Sequence, residues 1–275
     1  MEQGPRDYTG KLTYRTQDMR IWGFGMGSIL DTSGTNSTHV LSEIDNDVRQ
    51  SAFTSGTLNP SMSFTLEDSK IVTGTGKNFV RTINGVIPQK MTLKIKQGQP
   101  VVTELDYVAQ AVTYSSGATT PFTSVGSNRP FLWADGTLTI GGSVTLTAKE
   151  IDFDLDQSTE APHYINGSRV ISVPFNTNRN YTVSVTLDTD SESVKPFYDQ
   201  FFLGGSSFNV TLDLNSDAKA GVTGSQHAII SMSGCRMFDV SIPSPAEGVV
   251  EQTLTIRPQT VSITEYNQVV KYTAF

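Results

Sequence analysis

Glu150, Asp152, Asp154 and Asp156 are four carboxylates at alternate positions in Glu150-Ile151-Asp152-Phe153-Asp154-Leu155-Asp156. Such a row could hold a hard cation or form a surface that repels anions. A calcium loop of the EF-hand type needs Gly at its sixth position and Glu at its twelfth, and counted from Asp152 those positions hold Gln157 and His163. The motif fails at both. The interleaved Ile151, Phe153 and Leu155 instead make the stretch a strand, with the carboxylates leaving one face at roughly 6.5 Å spacing. A solvated face, a functional acidic surface and adventitious cation binding are the readings open at this point.

Other reactive side chains are sparse. His39, His163 and His227 are expected in loop-like or strand-edge settings, and they form no HExxH or His-x-His pair. No GxSxG element supports a Ser/His/Asp triad, so the expectation is a protein that is not an enzyme and needs no metal or cofactor. The single cysteine, Cys235, excludes an intrachain disulfide and reads as a small strand-end residue. Trp22-Gly23-Phe24-Gly25-Met26-Gly27 has alternate glycines but neither the GxGxxG spacing nor a GK[ST] ending of a phosphate-cradling loop. It reads as part of an arm or long loop, running on to Thr38 and ordered by a neighbouring subunit. Residues 1–50 are therefore expected to be an N-terminal arm or loop region ahead of a β-domain at 51–275.

Composition says what must surround these groups. In 275 residues, 37% are hydrophobic and only 17% charged, so Ser, Thr, Asn, Gln and Gly must cover much of the surface. That mixture favours strands and turns. The formal charge of −7 argues against a clamp that grips nucleic acid by neutralising phosphates. Neither an apolar leader after Met1 nor a run of about 18 apolar residues is present, so synthesis in a cytosol without export signal or membrane anchor is expected.

Two-residue alternation dominates the chain. Met91, Leu93 and Ile95, then Val101, Leu105 and Tyr107, mark a hairpin with one dry face around Gly98-Gln99-Pro100. Opposite charges favour a register with Leu93 facing Leu105 and Lys94 facing Glu104. Further strands are expected at 138–140, 144–148, 151–155, 170–175, 181–187, 208–214, 228–232, 237–242, 249–256 and 261–264. The apolar phase changes near Lys149-Glu150, which a β-bulge would repair. One helix is signalled: Ser193 caps it, Pro196 fits its first turn, Phe197 and Phe201 are its core anchors, and Gly204-Gly205 ends it. Gly85, followed by Met91-Leu93-Ile95 and Val101-Val102, is echoed by Gly234, followed by Val240-Ile242 and Val249-Val250, at offsets of 149 and 148. A duplicated hairpin unit and chance both account for the echo.

The blocks Gly85-Val86-Ile87-Pro88, Met91 to Val102, Leu105 to Ala109, Pro130 to Gly136, Val144 to Leu155, Tyr181 to Asp188 and Phe208 to Leu214, in that order and with one helix, resemble the tail tube proteins of tailed phages and viruses. The likeness spans about residues 50 to 265. It implies an all-β fold: an antiparallel β-sandwich or barrel with one short flanking α-helix and long loops. It also implies stacked homohexameric rings whose inner strands form a continuous barrel that conducts DNA at ejection. The partners implied are further copies of the chain, a tape-measure protein in the lumen, a tail terminator and tail-tip or baseplate proteins, all in the virion tail. Because passing DNA must not adhere, the row Glu150, Asp152, Asp154 and Asp156 is then expected to face the lumen. The alternatives are a related component, such as a tail terminator or a secretion-system tube ring, and a carbohydrate-binding or adhesion sandwich. The last would use Trp22, Trp133, Tyr164 and Tyr266 as aromatic platforms.

Overall fold

Alternating apolar residues can bury one face of a strand only if a second layer covers it, and the chain folds accordingly. The computed structural model describes residues 8–32, 37–43, 64–72, 77–116, 129–141, 144–146, 148–160, 175–188, 202–216, 226–241 and 251–267. These form β1 (Tyr8–Arg15), α1 (Arg20–Met26), β2 (Gly27–Thr32), β3 (Ser37–Glu43), β4 (Phe64–Val72), β5 (Lys77–Lys96), β6 (Val102–Ala109), β7 (Ala111–Ser115), β8 (Gly136–Ile140), β9 (Val144–Leu146), β10 (Ala148–Glu160), β11 (Phe175–Asp188), β12 (Phe208–Asn215), β13 (His227–Ser241), β14 (Glu251–Arg257) and β15 (Thr260–Asn267).

One layer has the order β1-β6-β5-β10-β11-β14-β13, and the other runs β2-β3-β15-β13-β12-β8-β9. The long strand β13 belongs to both. Its first half pairs with β12 and β15, and from Arg236 onward it pairs with β14. The first half of β5 leaves the first layer and carries β4 and β7 as a three-stranded ribbon. Inward side chains of both layers make one core, including Met91, Leu93, Phe153, Val185, Leu212, Ile230, Leu254 and Ile263. The sheet path has open ends, so the all-β sandwich is present and is not a closed barrel.

The described helix is not where periodicity put one. Trp22-Gly23-Phe24-Gly25-Met26, expected in an arm or loop, is buried helix. Two glycines and two aromatics give seven residues little intrinsic helicity, so burial holds α1 together. A Cβ on Gly23 would lie 2.4 Å from Ile29 and one on Gly25 2.7 Å from the Met91 sulfur, so the alternate glycines allow close packing. Trp22 stacks on Phe153 at 5.1 Å and donates its indole N–H to Thr103. The expected helix with Phe197 and Phe201 lies outside the described residues; Phe202, at its end, packs partly against the core.

The β5–β6 hairpin has the expected faces but a register displaced by two residues: Met91, not Leu93, faces Leu105. The Gln99 N–H closes a tight turn on the Lys96 carbonyl, and Val101 then leaves the ladder to bond the Phe131 carbonyl. Lys94 still reaches Glu104, diagonally, at 2.7 Å. The β10–β11 register shift falls between Ala148 and Glu150, as the phase change requires. The segments 228–232 and 237–242, expected as two strands, form one strand over their described residues.

The echo at Gly85 and Gly234 is a repeat of backbone structure. Adding 149 to each residue number turns the pairs Ile87↔Val108, Lys90↔Asp106 and Met91↔Leu105 into Arg236↔Arg257, Asp239↔Thr255 and Val240↔Leu254. It likewise turns Asn84↔Ala111 into Ser233↔Thr260. Both ladders slip at the same place, Pro88/Lys90 and Met237/Asp239. Gly85 and Gly234 have φ of 64° and 61°, which frees each long strand to bend as it passes between layers. Beside each glycine a Gln N–H (Gln110 or Gln259) bonds the preceding carbonyl (Asn84 or Ser233), at 3.0 Å in both cases. Flanking strands follow: β1 lies on β6 as β11 lies on β14, and Phe64↔Val86 and Leu66↔Ile83 match Phe208↔Cys235 and Val210↔Met232. The chain thus holds two copies of one strand module, β1-β6-β5 and β11-β14-β13, with β10 between them.

Candidate functional site

In β10 the odd residues Ile151, Phe153 and Leu155 enter the core, which turns Glu150, Asp152, Asp154 and Asp156 to the outer face of the first layer. The row is bounded by two different neighbours. On β5 the facing residues are Lys96, Lys94, Thr92 and Lys90; on β11 they are Thr186, Ser184, Thr182 and Asn180. Lys96 lies 3.6 Å from Glu150 and Lys90 3.9 Å from Asp154, while Thr92 donates its hydroxyl to Asp154. One strand further out, Glu104 of β6 accepts from Lys94 at 2.7 Å and from Lys11 of β1 at 2.8 Å. Charge therefore alternates strand by strand, with lysines on β1 and β5 and carboxylates on β6 and β10.

Electrostatics follow that layout. Hydrogen bonds from Lys11 and Lys94 hold the Glu104 carboxyl below its ordinary range, and the same bonds raise both lysines. Asp152 is shifted the other way, first by burial and then by the neighbouring Glu150. One of its oxygens is buried without a hydrogen-bond partner. The row is thus no bare acidic strip. Lys11, Lys90, Lys94, Lys96 and Lys149, the lysines whose side chains are described, are all ion-paired. Among the described residues, a polyanion passing over this face meets carboxylates, hydroxyls and lysines that each have a counter-charge, together with the exposed Arg15 at the end of β1.

A second set of polar groups lies inside, unannounced by any motif. Gln157 of β10 and Glu265 of β15 are fully buried at positions where the alternation calls for apolar residues. Both hold α1: Gln157 donates to the Gly25 carbonyl at 2.8 Å, and Glu265 accepts the Met19 N–H at 2.8 Å. Each layer therefore caps one end of the helix. His39, expected in a loop or at a strand edge, is buried in β3 between Asp31 at 2.7 Å and Asn267 at 3.0 Å. Asn267 in turn donates to Glu265. Polar residues in the apolar phase of a strand were the sequence signal for this network.

The remaining candidates separate. His227 pairs with Asp213 at 2.7 Å and stacks on Tyr266, whereas His163 lies outside the described residues. Cys235 is buried, and burial raises its thiol to about 11, against any role as a nucleophile. Arg129 clamps buried Asp135 through two bonds of 2.7 and 2.9 Å, which anchors the Trp133–Asp135 turn. Of the proposed aromatic platforms, Trp22 is wholly buried and cannot meet a ligand, Trp133 is 42% exposed, and Tyr164 lies outside the described residues. Among the described residues no cluster could hold a metal ion, and no helix is long and apolar enough to cross a membrane.

Comparison with known proteins gives a family and, among solved structures, distant likenesses. A chain of the anti-feeding prophage baseplate, solved by cryo-EM and 6-fold symmetrised, is similar at 11% identity, over 53% of this chain and 97% of that one, with a TM-score of 0.38. No curated protein matches. The family described as phage tail tube protein matches residues 3–261. With nearly its whole length matched, the chain belongs to the phage tail tube protein family and is a structural component of the virion tail.

Proposed function

We propose that this chain is the repeating subunit of the tail tube, and that its copies close into rings with a continuous inner β-barrel and stack into a conduit for DNA. The observation that carries this reading is the family match over residues 3–261. Sheet edges that have no strand partner among the described residues support it, because an unpaired edge is a liability that pairing with a neighbour removes. The lumen would hold a tape-measure protein before ejection, and the tube ends would meet a terminator and tail-tip or baseplate proteins. No catalytic step is assigned. Negative-stain imaging of the purified chain tests the reading: rings or rods are expected, and a strictly monomeric protein under all assembly conditions would overturn it.

Within that reading the face carrying Glu150, Asp152, Asp154 and Asp156 lines the lumen. Its merit is pairing, since each described lysine there already has a carboxylate. Replacing the four acids by their amides in one variant (Glu150→Gln, Asp152→Asn, Asp154→Asn, Asp156→Asn) removes the partners of Lys90 and Lys96. Tubes of normal length that release DNA more slowly at low salt are expected. Ejection at the unaltered rate would place the row elsewhere.

A further inference from the structure

Beyond the acidic row, the outer face of the first layer carries charge of the other sign. Met237 pairs with Ile256 in the core, so the neighbouring pair, Arg236 of β13 opposite Arg257 of β14, leaves the sheet on the outer side, with both residues exposed. Like charges directly opposite each other disfavour the pairing of their strands. The lysines Lys11, Lys90, Lys94 and Lys96 each have a carboxylate partner, whereas among the described residues neither of these guanidiniums has one. The fold does not require charge here, because the repeat places buried Ile87 and Val108 at the same two positions of the other module.

Two neighbours shape the pair. The register slip between Met237 and Asp239 turns Phe238 outward, 59% exposed, and the Arg257 guanidinium carbon sits 3.7 Å over the centre of its ring. A guanidinium stacked in this way keeps its N–H groups, which lie in its own plane, for hydrogen bonding. Asp239, at the next outward pair, gives its carboxylate to the Val240 N–H at 2.9 Å. Adjacent planar N–H forks without a counter-charge are the chemistry that takes phosphate oxygens. We propose that Arg236 and Arg257 form a phosphate-binding site that touches the backbone of DNA during its passage. This rests on the reading that the face lines the conduit, and adds a point of attraction to a wall that otherwise presents paired charges. Ser184 pairs with Asp152 on one side and Thr255 on the other, so β14 stands about 10 Å from the acidic row. Attraction and repulsion then act on the same duplex, and the hold is weak and independent of sequence.

The site is tested by the fluorescence anisotropy of a short labelled DNA duplex titrated with the purified protein at several salt concentrations. The double variant Arg236→Gln/Arg257→Gln should bind more weakly, and its log affinity should fall less steeply with log salt, by about 1–2 in slope, whatever the duplex sequence. Arg236→Lys/Arg257→Lys, which keeps the charge without the fork, should keep the slope at reduced affinity. Arg15→Gln, at another exposed cation of this layer, controls for net charge. A loss per charge as large in Arg15→Gln as in the pair would overturn the site, and so would equal binding by the double variant and the unaltered protein. Preference of the unaltered protein for a polyglutamate peptide over the duplex would also overturn it, assigning the pair to an acidic protein partner. Arg236→Gln should leave the melting midpoint unchanged or raise it, since it removes a like-charge opposition, and a lowered midpoint would make this guanidinium a group that serves the fold. Virions carrying the double variant should release DNA faster at low salt. If duplex binding is lost as expected while release is unchanged, the phosphate site stands and the placement of this face in the lumen falls.

Discussion

The β5–β6–β7 unit and the β13–β14–β15 unit share their registers, their slip and their bend, yet their outer faces have little chemistry in common. Lys90, Thr92, Glu104 and Asp106 in the first unit stand where Asp239, Ser241, Thr253 and Thr255 stand in the second. A ladder that persists when its charge pairs are exchanged for hydroxyls is not set by those pairs. What the units share is a glycine at the bend, a glutamine N–H beside it and Leu105 or Leu254 in the core. Backbone geometry and inward packing fix the register, which leaves the outer face free to carry a lysine–carboxylate ladder in one half and mainly hydroxyls at the matching positions of the other.

The largest effect is expected from the helix. Trp22 is fully buried against Phe153, and Trp22→Ala should cost about 3–5 kcal/mol, read as a lowered melting midpoint. The sequence puts a second helix five residues after β11, close to the four that separate β1 from α1. If the helix belongs to the module, Phe197→Ala in that second segment should cost a similar amount. An unchanged midpoint for Phe197→Ala would confine the helix to the first half.

These helices also show where sequence reading succeeds and fails. Strands such as β10, β12 and β15 were legible because each carries its own alternation, and the bulge at Lys149 because alternation changed phase there. α1 was not, since Gly23 and Gly25 are poor helix formers whose value lies in contacts with Ile29 and Met91, distant or unseen in the sequence. Two residues of hairpin register were lost for a similar reason: Val101 bonds Phe131, a contact that local pairing rules do not contain. The acidic row was legible as a face, but not the lysines of β5 beside it, because strand neighbours are set by topology.

The shared bend gives the next effect. An alanine at Gly85 or Gly234 would adopt a φ near +60° that L residues disfavour, and its Cβ would press on Gln110 or Gln259 within 3 Å. Gly85→Ala and Gly234→Ala should each cost about 1–3 kcal/mol, and by similar amounts. Denaturant midpoints of the two variants make the check. One severe and one neutral result would show that the bends only look alike.

Asp152 sits between the lysine-bearing β5 and the hydroxyl-bearing β11, with Lys94 on one side and Ser184 on the other. Burial and Glu150 raise its pKa above the ordinary value. The fold therefore disfavours its carboxylate, a penalty present at neutral pH that fades as pH falls through the raised value toward about 3.9. Asp152→Asn should stabilise the protein at pH 7, by less than about 1 kcal/mol because solvent screens this half-exposed site. The gain should shrink as pH approaches 4. A gain that grew on acidification would mean that Asp152 is held by a favourable partner.

The smallest effect sharpens the comparison most directly. Glu104 accepts bonds from Lys11 and Lys94, and the repeat places Thr253 at the same position in the second unit. Glu104→Thr therefore gives the charged ladder the neutral ladder's own residue. Since Glu104 is held below its ordinary pKa, its contribution is present above about 4.3 and is lost as pH falls through the folded value. Partly exposed pairs of this kind contribute about 0.2–1 kcal/mol, so the substitution should cost that much near pH 7 in low salt. At 1 M salt, where the screening length is about 3 Å, the difference should nearly vanish. The pairing of Met91 with Leu105 should survive, visible as unchanged amide-exchange protection along β5 and β6. Loss of that protection would mean that charge pairs, and not the bend and the core, hold the first unit in register.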